Sequence, residues 1–165
     1  MRLVVADAGP LVHLSEIEAI ELLRSLGEMH VPEAVEQEVS VLLESWSSSR
    51  PDWVYVTSLD SSRNVESRAW EQAGLLDRGE ADAIGLARQL SASWLLTDDA
   101  SARLMAEALG IETHGSLGVV LFSASQGTVT KVEAEALLTR LANSSLWVSD
   151  RVLSEARAAL EELFS

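Results

Sequence analysis

Five acidic residues occupy positions that a solvated surface does not explain: Asp7, Glu38, Glu80, Asp98 and Asp99. Asp7 closes the apolar run Leu3-Val4-Val5-Ala6, and Asp98-Asp99 follow Trp94-Leu95-Leu96-Thr97. Glu38 stands three residues after Val35 and one before Val39, so a helix here directs it with the apolar stripe, not away from it. Glu80 shares a helical face with Ala83, Ile84 and Ala87. A carboxylate aimed near a core needs a partner, a proton or a metal. Two adjacent acids at one strand end repel each other unless a cation or proton intervenes. Hard oxygen ligands, with no cysteine in the chain and no histidine cluster, suit Mg²⁺ or Mn²⁺. Such sites activate water and stabilise charge in phosphoryl transfer.

Each acid also has a plainer reading. Asp7 can cap the turn at Pro10, and Glu38 can sit at the edge of its stripe and reach out to water. Glu80, taken alone, reads best as the third-position partner of Asp77 in a capping box. One of Asp98 and Asp99 caps the helix that follows, and the sequence does not separate the two. Glu33, Glu36, Glu44 and Asp82 read as solvated. Arg103, one turn beyond Asp99, could meet a phosphate or a nearby acid, and a salt bridge is the expectation. His13, His30 and His114 form no cluster and read as structural. The five tryptophans are scattered without the basic interleaving of a single-strand platform. Trp94 and Trp147 read as core or interface.

The elements that must position these acids follow from periodicity. Apolar runs at 3–6, 29–31 and 94–97 read as buried parallel strands, with shorter candidates at 53–56, 111–113 and 147–148. A short helix is expected over 10–14. Ser15 and Glu18 look like a capping box that opens a second helix over 16–26. Further helices are expected over about 32–44, 65–73, 77–90, 99–109, 117–125, 132–142 and 149–163. The stripe of the 32–44 helix is Val35, Val39 and Leu42. Strands alternating with helices give a three-layer α/β/α sandwich with a mainly parallel sheet. Its sites belong beyond the carboxyl ends of the strands. No linker or repeat divides the chain, so one domain over residues 1–165 is expected.

Composition narrows the function classes. At 165 residues and 47% hydrophobic content the chain can bury a core without disulfides. Without cysteine, thiolate zinc sites and cysteine nucleophiles are excluded. No apolar run approaches the roughly 18 residues of a membrane span, and an acid at position 7 comes too early for a signal peptide. The reading is a cytoplasmic protein with no membrane partner. The net charge of −14, with Lys131 the only lysine, argues against a module that holds nucleic acid by a basic face. A nuclease remains compatible, because bound cations themselves supply positive charge to a phosphate.

The motifs together resemble the PIN domain family. Val4-Val5-Ala6-Asp7-Ala8-Gly9-Pro10-Leu11 resembles its opening strand and first acid, and Val31-Pro32-Glu33-Ala34-Val35 with Glu38 its second acidic motif. Gly79-Glu80-Ala81-Asp82-Ala83-Ile84 resembles the third, and Leu95-Leu96-Thr97-Asp98-Asp99 the fourth. With Arg103, Gly110 and Gly115-Ser116-Leu117-Gly118, the set is most similar to a branch of prokaryotic PIN proteins related to VapC-like toxins. The resemblance implies a Mg²⁺- or Mn²⁺-dependent endoribonuclease that acts on RNA, often as a homodimer and often paired with an antitoxin protein. It carries Asp7, Glu38, Glu80 and Asp99 over as the acidic quartet, with Asp98 the adjacent competitor. Thr97 and Arg103 are placed near substrate. Two positions depart from the pattern. Gly9 stands where many PIN domains have Ser or Thr, and Glu80 where many have Asp. The rival reading is a catalytically inactive PIN-like module that binds a partner, which the absent hydroxyl and the acidity favour. A receiver-like phosphoacceptor lacks its late-sheet lysine, and a dinucleotide-binding fold lacks G-x-G-x-x-G after the first strand.

Overall fold

The structure is a computed structural model that describes residues 1–165. Five short strands form one parallel sheet: β1 (Leu3–Ala6), β2 (Glu28–Val31), β3 (Val54–Val56), β4 (Trp94–Leu96) and β5 (Glu112–His114), in the order β3-β2-β1-β4-β5. The most apolar strands lie innermost. Val4, Val5 and Ala6 of β1 are fully buried, with Val4 opposite Met29 on one side and Val5 opposite Leu95 on the other. The edge strands carry the polar and exposed residues, among them Tyr55 and Glu112, as exposed edges require.

Parallel neighbours need crossovers. These are α1 (Ala8–Glu16), α2 (Glu33–Leu42), α3 (Trp46–Ser49), α4 (Ser61–Gln72), α5 (Arg78–Gln89) and α6 (Ala100–Ala108). Helix α5 lies on β1 and β4, with α2 and α4 packed against it. After β5 come α7 (Ser116–Ser125), α8 (Lys131–Ala142) and α9 (Asp150–Leu163), which pack on one another and through α7 on α1. Helices therefore flank an all-parallel sheet, the α/β sandwich expected from the alternation of elements. The chain order runs outward from β1 through β2 to β3, then returns to β4 on the other side of β1. That reversal leaves a crevice at the carboxyl ends of β1 and β4, where open parallel sheets place their ligands.

Several local expectations are corrected. Ser15 opens no helix. It lies in the last turn of α1, and its carbonyl accepts the N–H groups of Ile17 and Glu18. Glu18 adopts φ +57, which reverses the chain. The segment expected as an α-helix over 16–26 is instead a 3₁₀ helix, Ile20–Leu26. Ile17, Leu22, Leu23 and Leu26 are all buried this way, so the same apolar spacing is met by a different backbone. Helix α2 ends at Leu42, which is exposed and outside the Val35–Val39 stripe. Trp147-Val148 is not a strand.

Asp82 is not solvated: it is 4% exposed and accepts from the Ser67 hydroxyl and the Arg68 guanidinium, which ties α5 to α4. Glu36 is half-buried and accepts from Trp46 Nε1 at 2.8 Å and Arg50 at 2.7 Å.

Candidate acidic site

Asp7 is the residue directly after β1. Its N–H donates to the Leu96 carbonyl of β4 at 2.8 Å, which extends the ladder one residue beyond the strand. Its side chain then turns to cap α1. One carboxylate oxygen accepts from Ala8 N–H at 2.8 Å, and the other from the Thr97 hydroxyl at 3.0 Å. The capping and ligand readings of Asp7 are therefore compatible. Only 6% of Asp7 is exposed. Burial pushes its carboxyl up to about 7, against the lowering by Ala8 and Thr97, and the charges of Asp77 and Glu38 push the same way.

Thr97 is fully buried, and its hydroxyl both donates to Asp7 and accepts from Asp99 N–H at 3.2 Å. Its hydroxyl links two acids.

Glu38 projects from α2 into the same crevice, half-buried and with no hydrogen bond from the protein. Burial raises its carboxyl, and the charge of Asp77 adds to the effect. Gly79, in the first turn of α5, explains how Glu38 fits. A Cβ there would stand 2.9 Å from Glu38 Oε2, so a side chain at 79 would fill the space the carboxylate uses. Glu80 and Asp77 form the capping box read from the sequence: Asp77 accepts from Glu80 N–H at 2.8 Å, and Glu80 from Asp77 N–H at 2.9 Å. Glu80 nonetheless lines the acidic cavity. Burial first, and then Asp77 and Asp99 nearby, raise its carboxyl to about 7, against the lowering by Asp77 N–H.

The geometry separates Asp98 from Asp99. One oxygen of Asp98 accepts from His13 Nδ1 at 2.7 Å and from the Ser116 hydroxyl at 2.6 Å, and the other from Ser116 N–H at 2.6 Å. Gly115, the residue that precedes α7, offers no side-chain cap; Asp98 caps that helix from a distance. Burial works to raise the Asp98 carboxyl, but His13 and Ser116 together outweigh it and hold the group below the usual range. Asp99 caps its own helix α6 with one oxygen, from Ala102 N–H at 2.9 Å, and its side chain lies within hydrogen-bonding reach of Glu80. Arg103 forms no salt bridge. It donates to the Thr97 carbonyl at 3.2 Å and to the Thr113 hydroxyl at 3.4 Å. It faces a neighbouring groove and not the acids' cavity.

Asp7, Glu38, Asp77, Glu80, Asp98 and Asp99 thus line one cavity of about 350 Å³, with His13 and the segment Ser145–Trp147 on its rim. Sequence reasoning missed Asp77, His13 and Ser116. Asp77 was legible only as a cap. His13 lies one turn after Gly9 on the face of α1 that carries it, but its partner is 85 positions away.

The donor set suits a divalent cation in chemistry: carboxylate oxygens, two of them raised to about 7 by burial and crowding that a cation would relieve. The space kept beside Gly79 leaves Glu38 unencumbered. As the side chains stand, no three of them converge closely enough to hold one ion. Glu80 and Asp99 each commit one carboxylate oxygen to a helix cap.

Comparison with known proteins agrees with this architecture. The family model described as a PIN domain matches residues 3–162. No curated protein matches the chain. PIN domains are generally nucleases, which typically use divalent metals, and that is the level at which the match speaks of activity. With the parallel sheet, the crevice between β1 and β4 and nearly the whole chain matched, this protein belongs to the PIN domain family.

Proposed function

We propose that the protein is a Mg²⁺- or Mn²⁺-dependent endoribonuclease that hydrolyses RNA phosphodiesters, with Asp7, Glu38, Glu80 and Asp99 as its acidic quartet. One observation carries the reading: acids from four separate elements, up to 92 positions apart, gather in one cavity at the sheet's switch point. Burial raises three of the four carboxyls, a state costly for a protein to maintain without a counter-charge.

When bound, the cation lowers the pKa of water and offsets charge growing on the phosphate. The chain's own residues do the rest. Ala8 and Thr97 fix both oxygens of Asp7, so that group enters the reaction without reorienting. Glu38 is the ligand free of hydrogen bonds from the protein. Asp99 caps α6 with one oxygen and stands beside Glu80, whereas Asp98 accepts three hydrogen bonds from His13 and Ser116; that difference supports Asp99 as the quartet member and Asp98 as a scaffold. Thr97 positions Asp7 and Asp99.

A toxin role with an antitoxin partner extends the same reading. A chain of net charge −14 calls for a partner rich in cations. The alternative is an inactive PIN-like module that binds a protein, favoured by Gly9 and the acidity.

The deciding experiment is cleavage of single-stranded RNA by purified protein with Mn²⁺, Mg²⁺ or EDTA, beside Asp7→Asn and Glu38→Gln. Cleavage that needs the metal and disappears in both variants supports the proposal. A wild type that neither binds Mn²⁺ at millimolar concentration nor cuts RNA leaves the binding module.

A further inference from the structure

Beside the acidic cavity lies a second hollow of about 320 Å³, and Asp98, Leu146 and Trp147 border both. The two form one trough. Its far part is lined by Arg103, His114 and the glycine-opened first turn of α7. Trp147 is 85% exposed, and it is the only tryptophan in the exposed class; Trp46 and Trp94 are buried, and Trp53 and Trp70 half-buried.

Its exposure is not that of a loose loop. Ser145 is bonded through its N–H (3.0 Å) and its hydroxyl to Glu16 of α1. Leu146 packs against the core, and the Ser149 hydroxyl caps α9 by accepting from Val152 N–H at 3.1 Å. The segment is pinned on both sides of an indole held outward, at the mouth of the acidic cavity. An indole left in water on a fixed backbone forgoes burial that the same fold gives to Trp46 and Trp94. Next to it, Arg103 bonds only to neutral oxygens and pairs with no carboxylate. Asp98 Oδ1 stands on the other side of the space that a Gly115 Cβ would fill, without an ion pair to Arg103.

A flat aromatic face and a guanidinium that forms no ion pair, in a trough continuous with the clustered acids, match one ligand chemistry. We infer that the trough seats single-stranded nucleotides flanking the scissile phosphate, with Trp147 stacking on a base and Arg103 meeting a neighbouring phosphate. The inference rests on the nuclease reading above, but binding tests it separately from cleavage. Stacking reads any base, because every base has a π-face, and it requires an unpaired strand. The acidity of the rest of the surface then acts against binding away from the trough.

The test uses the full chain with Ca²⁺ in place of Mg²⁺, titrated with a short single-stranded oligoribonucleotide while tryptophan emission is followed. The oligonucleotide is checked on a gel for intactness afterwards. Single strands are expected to quench emission, and a duplex of the same length much less. Trp147→Ala should abolish most of the quenching and weaken binding at least about fivefold, and Trp147→Tyr should retain binding within about threefold. Arg103→Gln should lower the salt dependence by about one counterion. Equal affinity of Trp147→Ala and wild type overturns the inference, as does the absence of quenching. An emission change that follows protein concentration alone also overturns it, by making Trp147 a contact between copies. Cleavage measured on the same preparations separates the two claims. Metal-dependent cleavage lost in Asp7→Asn, with normal binding by Trp147→Ala, removes only the trough. Quenching by intact strands with no cleavage in any metal removes the nuclease and keeps the trough.

Discussion

Thr97 and Asp7, ninety positions apart, are joined by a 3.0 Å hydrogen bond between the ends of adjacent strands, wholly inside the protein. The same hydroxyl accepts from Asp99 N–H. One small side chain therefore sets the spacing of two acids that the chain delivers from different strands. Thr97→Val keeps the shape and removes both bonds. It should cost about 1–3 kcal/mol in urea unfolding, since a buried carboxylate and an N–H each lose a partner. It should also drive the Asp7 carboxyl higher still, because a bond that lowers it is gone. Mn²⁺ calorimetry on the variant is expected to show weaker binding than wild type.

The Asp7 carboxyl makes the metal-free protein sensitive to pH. Its folded pKa of about 7 lies above the ordinary value of 3.8, chiefly through burial. Protonated Asp7 thus favours folding, and its contribution is complete below about pH 4 and lost as pH rises through about 7. In EDTA, Asp7→Asn should be more stable than wild type at pH 8, by up to about 4 kcal/mol. The gap should narrow on acidification towards pH 5. Saturating Mn²⁺ should stabilise wild type and leave the variant unchanged. Melting curves at pH 5, 6.5 and 8, with and without metal, check each part.

Asp98 and Asp99 are adjacent, and their substitutions should have opposite profiles. Asp98→Ala removes three hydrogen bonds and the cap of α7. A loss of roughly 2 kcal/mol in stability is expected from cap and buried-bond terms. Asp99→Asn keeps an amide oxygen for Ala102 N–H, and Asn caps as well as Asp, so its melting temperature should barely move. Metal affinity and cleavage should drop in Asp99→Asn. If instead Asp98→Asn folds normally and loses metal affinity while Asp99→Asn keeps it, the assignment of ligand and scaffold is reversed.

Away from the acids, Asp82→Ala leaves the Arg68 guanidinium under α4 without its nearest carboxylate. About 3 kcal/mol of destabilisation follows from stranding one partner of a buried pair. Metal affinity should stay at the wild-type value, which makes this variant the control for stability loss without damage to the cavity.

The sheet and its acids were legible in the sequence because both depend on short-range regularities. The unbroken run Leu3–Ala6, stopped by Gly9-Pro10, reads as a strand buried on two faces, and the acid that ends it falls at its carboxyl edge. Glu38 was legible for the same reason, through its place beside Val35 and Val39. What escaped depends on a partner from elsewhere. Asp82 lies on the flank of its own helix, and only the arrival of Ser67 and Arg68 from α4 buries it. The different hydrogen bonding of Asp98 and Asp99 depends on His13 and Ser116, each distant in sequence from them. The apolar spacing over 17–26 suited an α-helix and a 3₁₀ helix alike, and packing decided. Trp147 was read as core or interface because a large aromatic is usually covered, and the pinning of Ser145 to Glu16 is not visible locally.

The strand order has a consequence in time. β1 is made before the other strands and lies in the middle of the sheet, but one of its neighbours, β4, comes more than eighty residues after it. Glu38 leaves the ribosome about 60 residues before Asp99, and Asp7 about 90 residues before it. At ~5–20 residues per second that is a delay of several seconds. Throughout it the emerging polypeptide lacks Thr97 and Asp99 and cannot assemble the acidic cavity. A chain that cuts RNA, as proposed above, would be made on a machine built of RNA, and this order of strands leaves its acidic cavity incomplete until Asp99 has been translated.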